Sequence, residues 1–138
     1  MKKLISKLKE KSRRGFTVAE VVVALTIIVL VSGASMTLIA MQARNEVRAV
    51  QTIEATNIAE NAIECFRYAD GEIGKFEGAF ANSGYTLTGV QGSGSYTVTK
   101  DGVTVNIEIV ENNKIEINAI NAKGDTILGT TTYTKQEP

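Results

Sequence analysis

The 138-residue chain has no His, no Trp and one Cys, and its only Pro is the last residue, Pro138. Each absence closes off chemistry. Without His, the commonest general base and the commonest imidazole metal ligand are both missing. A lone Cys65 allows neither an intramolecular disulfide nor a multi-Cys zinc site, and its helical, apolar setting reads as a small buried hydrophobe. Fourteen acidic residues follow Gly15. None falls in a recognisable catalytic constellation, and none forms the closely spaced Asp/Asn run of a calcium loop. Residues 70–95 are rich in Gly but lack the Gly-Lys-Ser/Thr ending of a phosphate-binding loop. The residues therefore point to no enzyme, no bound metal and no cofactor.

The formal net charge is zero, which hides a sharp asymmetry. Residues 1–15 hold seven Lys/Arg and one Glu, a charge of +6; the remainder holds eight Lys/Arg against fourteen Asp/Glu, a charge of −6. The eight basic residues after Gly15 are scattered, so no phosphate-neutralising patch forms and no direct nucleic-acid partner is expected.

The basic leader ends in Arg13, Arg14 and Gly15. Phe16, Thr17, Val18, Ala19 and Glu20 follow, and no charge appears from Val21 to Ala43. At about 1.5 Å per residue those 23 positions cover roughly 34 Å as a helix, enough for a bilayer core. Lys and Arg beside such a segment hold their end in the cytoplasm, which places the C-terminal domain outside. Glu20 is out of place here, because a carboxylate at the edge of hydrocarbon costs several kcal/mol unless something pairs with it.

This stretch resembles the N-terminus of type IV prepilins and pseudopilins. The resemblance is close from Lys11 to about Val31 and is one of architecture beyond. It implies cleavage by a prepilin peptidase/methylase after Gly15, N-methylation of Phe16 and an assembly role for Glu20 at mature position five. It implies further that Glu20 pairs with the Phe16 amine of a neighbouring subunit when subunits leave the membrane for a helical fibre. The partners it implies are the peptidase, other pilin subunits and the membrane. Pilus, competence pilus and type II secretion pseudopilus all fit. Two family-independent readings stay open: a secretory signal peptide cut near Ser32–Ser35, and a plain single-span anchor. Neither explains Gly15, Phe16 and Glu20 together. The chain departs from the family in lacking a C-terminal disulfide and in carrying Thr37 where a Pro is common.

The expected fold is α+β: a long N-terminal helix, transmembrane in its first half and amphipathic in its second, packed on a small antiparallel meander of three or four strands. The segments are a leader (1–15), a transmembrane helix (16–43), its amphipathic continuation (44–69), a Gly-rich loop (70–95) and a sheet (96–138). From 16 to 68 the helix would run about 80 Å. In its second half Val47, Val50, Ile58, Ala62, Cys65 and Phe66 fall on one side, with Ile53 and Ile63 off that stripe. Asp70-Gly71 ends it with a left-handed cap. The 70–95 segment reads as surface loop, with room for a short strand at Tyr85–Thr88.

Asp101-Gly102 signals a two-residue hairpin turn that pairs Lys100 with Val103, Val98 with Val105 and Tyr96 with Ile107. At the next turn, a two-residue Asn112-Asn113 loop would set Ile109 against Glu116. A three-residue loop sets Ile109 against Ile115 and Ile107 against Ile117, which keeps the apolar face whole, with an Asn in the left-handed conformation. Lys123-Gly124-Asp125 turns the chain into a last strand, Thr126 to Tyr133.

Overall fold

The structure, a computed structural model, describes residues 17–136. Gly15 and Phe16 lie outside the described residues. The fold is α+β, one long N-terminal helix packed on a five-stranded antiparallel sheet. Helix α1 spans Val18–Ala69 and a short helix α2 spans Ile73–Ala81. Strands β1 (Thr88–Gly89), β2 (Ser95–Lys100), β3 (Val103–Glu111), β4 (Lys114–Asn121) and β5 (Thr126–Thr134) pair in chain order. The described residues fall into two units, divided between Arg44 and Asn45.

In the first unit every described side chain is exposed. Three hydroxyls in the uncharged run are nonetheless satisfied along the helix. Thr26, Ser35 and Thr37 each donate to a backbone carbonyl one turn back, to Val22, Val31 and Ala34, all at 2.8 Å. A hydroxyl bonded this way can sit in hydrocarbon at little cost.

In the second unit α1 buries Ala55, Ile58, Ala59, Ala62, Cys65, Phe66 and Ala69. Four of these seven are Ala, so the buried face of the helix carries little side-chain bulk. Ile63, placed off the stripe, still packs at the core's margin, while Ile53 is exposed. The stripe is shorter than its periodicity suggests: Val47 and Val50 are 57% and 62% exposed. Helical spacing marks an apolar face but does not say how far the covering layer reaches.

The sheet supplies Tyr96, Val98, Val103, Val105, Ile107, Ile115, Ile117 and Ala119 to the same core. Among the described residues no polar or charged side chain is buried there. The first hairpin has the expected register throughout, with Lys100 opposite Val103, Val98 opposite Val105 and Tyr96 opposite Ile107. Asp101 and Gly102 sit at φ 49° and 76°, the two positive angles that a type I′ turn requires.

The second hairpin also has the expected pairs, Ile109 with Ile115 and Ile107 with Ile117, but by a different device. Glu111 pairs with Lys114 around a two-residue turn, and the register shifts between Ile109 and Glu111. Val110 is the extra residue, a β-bulge that restores the apolar face without a three-residue loop. Neither Asn112 nor Asn113 has positive φ, so the expected left-handed Asn is absent.

The largest correction is at 70–95. Residues 73–81 form helix α2, not loop. Gly74 and Gly78 each cost a helix about 1 kcal/mol relative to Ala. Phe76 and Phe80, one turn apart and fully buried, each recover roughly 1.5–3 kcal/mol. Burial wins, and their rings join Tyr96 and Tyr85 in one aromatic cluster, Phe76 to Tyr96 at 5.9 Å and Phe80 to Tyr85 at 6.0 Å. The strand expected near Tyr85–Thr88 is the two-residue β1, which makes the meander five-stranded.

Candidate functional site

Of the residues singled out in the sequence, Glu20 is the one that the described structure places. It sits in the first turn of α1, immediately before the uncharged run. Glu20 Oε2 accepts the backbone N–H of Thr17 at 2.8 Å and the Thr17 hydroxyl at 3.1 Å. In return the backbone N–H of Glu20 donates to Thr17 Oγ1 at 3.3 Å. This reciprocal arrangement is a capping box, in which two of the otherwise orphaned N–H groups at a helix start find acceptors.

Glu20 therefore has a partner within its own chain. The carboxylate also lies at the positive end of the helix dipole, where negative charge is stabilised by about 0.3–1 kcal/mol. These local tasks account for part of what makes an acid tolerable at the head of an apolar run. The capping bonds do not need its charge, since Gln closes a capping box as well as Glu does; only the dipole contribution does. Thr17-x-x-Glu20 spells the capping pattern in the sequence itself, a signal easily passed over beside the charge of Glu20.

Beyond Glu20, α1 is long and apolar enough to cross a membrane by length and composition, and none of the side chains in that apolar window is buried. Large apolar side chains from Val21 to Met41 are exposed around the whole circumference, Val22, Leu25, Val29 and Ile39 among them. Such a surface suits lipid or other apolar helices. Within it, Gly33 has open space where a side chain would stand, so a second helix could approach the backbone closely there.

The packed unit holds no comparable constellation. Among the described residues no three His, Cys, Asp or Glu side chains come together to hold a metal ion. Cys65 is buried, and burial, reinforced by the neighbouring Glu64 charge, pushes its thiol up from its ordinary range. A thiol held neutral is a poor nucleophile. Comparison of the chain with family models, curated proteins and solved structures found no match.

Proposed function

We propose that this chain is a structural subunit of the type IV pilin class, a minor or major subunit of a type IV or competence pilus and not an enzyme. The observation that carries the reading is a single one. One unbroken helix, Val18–Ala69, begins with the capped Glu20, contains the whole uncharged run and ends buried against a sheet. A domain merely tethered to a membrane needs only a linker between span and fold.

In this reading a membrane peptidase cuts after Gly15 and Phe16 becomes the methylated N-terminus. The exposed apolar half of α1 exchanges lipid for neighbouring helices when the subunit joins a fibre. Removing apolar side chains from lipid gains little by itself, because lipid is as apolar as they are. Direction and register must come from polar groups. A carboxylate carried into a helix bundle is strongly penalised unless a cation meets it, so pairing of Glu20 with the Phe16 amine of a neighbour selects one axial offset among many. The sheet domain supplies lateral contacts and the outer surface.

The test is the N-terminus of the protein taken from its native host. Mass spectrometry should find a start at Phe16 with one added methyl group, and Gly15→Val should leave the leader attached. An intact Met1, or a start near Ala34, would overturn the proposal.

A further inference from the structure

Between α2 and the segment 85–91 lies an open groove of about 640 Å³, within the size range of ligand-binding clefts. Among the described residues Glu77 is the only charged one lining it; Tyr85, Leu87 and Tyr96 supply apolar and aromatic wall. The Glu77 carboxylate is held in place. The Tyr96 hydroxyl donates to it at 2.6 Å and the Gly92 backbone N–H at 2.8 Å, and both bonds end on Oε1. Among the described residues, no Lys or Arg forms an ion pair with it. A fixed carboxylate without a counter-charge, beside aromatic rings, is a receptor for a cation with an apolar stem.

Two further observations fit an occupant. Gly74 and Gly78 line the groove from a helix that Gly weakens, yet a side chain at either would meet nothing within 4 Å. Neither has positive φ, so nothing among the described residues asks for Gly there; the space is left open. Strand β1 borders the groove through Gly89 and is the edge of the sheet, paired on one side only, by β2. Its outer backbone is open to an extended segment.

We infer that this groove receives a lysine or arginine side chain carried on an extended segment of a partner protein, with Glu77 pairing the cation and Leu87 and the two tyrosines covering its stem. Charge complementarity favours such a partner, since residues 45–138 hold seven Lys/Arg against thirteen Asp/Glu. The nearby cation that would oppose it, Lys100 at 5.0 Å from the Tyr85 ring, is already engaged by Glu54 at 2.7 Å. The inference stands whether or not α1 enters a fibre.

The test is a titration of the ¹⁵N-labelled full chain in detergent micelles with the capped peptide acetyl-Ala-Lys-Ala-amide, followed through the Gly74, Gly78 and Gly92 amide signals. These should move saturably, and the same peptide with norleucine for lysine should bind at least about tenfold more weakly. Glu77→Gln should weaken the lysine peptide by a similar factor. Gly78→Leu fills the groove without touching the Glu77 bonds and should abolish the shifts while the β3 and β4 signals stay in place. No saturable shift by about 10 mM peptide, equal binding of the norleucine peptide, or undiminished binding by Gly78→Leu would each overturn the inference.

Discussion

Gly71 and Asn112 meet backbone to backbone: a methyl group on Gly71 would overlap the Asn112 carbonyl oxygen. The contact locks the end of α1 against the β3–β4 turn. Gly71 also sits at φ 84°, directly after Asp70 at φ 56°, so two successive left-handed residues turn the chain out of the helix. Lys135 closes the same corner by pairing with Asp70, and its N–H donates to the Asn113 carbonyl at 2.7 Å.

Gly71→Ala should accordingly be among the more damaging single changes in the packed unit. It adds left-handed strain of about 1 kcal/mol to an overlap with backbone that cannot rotate away, a combined loss of roughly 2–4 kcal/mol. Gly84→Ala is the control, since it has the same positive φ but open space around it, and should cost only the strain. Thermal melts of the two variants in detergent micelles compare them directly. Equal melting temperatures would show that the Asn112 contact does not hold the corner.

The Glu77–Tyr96 bond predicts stability losses at both ends of the pH scale. The Tyr96 hydroxyl, followed by the Gly92 N–H, holds the Glu77 carboxyl below the usual carboxylate range. A depressed acid stabilises the fold above its unfolded value, about 4.3, and that contribution disappears as pH falls through the lower folded value. Tyr96 moves the other way, raised by burial and then by Glu77. Its contribution is intact below the ordinary tyrosine value of about 10 and is lost as pH climbs above it. Tyr96→Phe should flatten both limbs of a melting-temperature profile. A profile with the same acid and alkaline limbs as the unchanged chain would exclude this pair as their source.

How much of this was legible depended on which residues carried the signal. Asp101-Gly102 fixes both a turn type and a register, so the β2–β3 pairing could be written down pair by pair. The β3–β4 pairs followed from keeping Ile107, Ile109, Ile115 and Ile117 together, but alternation cannot say whether the odd residue sits in the loop or, as Val110 does, in a bulge. Helix α2 was hidden because seven Gly between 71 and 94 outweigh two Phe on any local scale. Phe76 and Phe80 matter only through a core built from distant strands. At the candidate site, Glu20 stood out by its charge against the apolar run, whereas Thr17, equally readable as a capping residue, stood out by nothing.

Cys65 should behave as packing and not as chemistry. Its thiol is buried and displaced toward the neutral form, so at neutral pH the native protein in micelles should react with iodoacetamide at least about tenfold more slowly than a Cys in an unstructured peptide. Unfolding in guanidinium should remove the difference. Cys65→Ser should destabilise more than Cys65→Ala, because the hydroxyl lands in an apolar face. Fast labelling of the folded chain would show that the helix opens there readily and would contradict the burial.

The capping box changes how Glu20 must be tested. Glu20→Ala removes one half of the capping box along with the charge, so failure to assemble would have two explanations. Glu20→Gln separates them. It can accept the Thr17 N–H as the carboxylate does, keeps the size and removes only the charge. Thr17→Ala is the reciprocal variant: it deletes the hydroxyl that the Glu20 N–H uses and leaves the charge. If charge pairing drives assembly, Glu20→Gln should insert, be cleaved after Gly15 and stay in the membrane, while Thr17→Ala should appear in sheared surface fibres near the level of the unchanged chain. If capping is what matters, the order reverses. A minor subunit is read the same way, by its incorporation into fibres and not by fibre number. Glu20→Gln entering fibres as well as the unchanged protein would remove the charge-pairing mechanism and leave Glu20 as a helix cap.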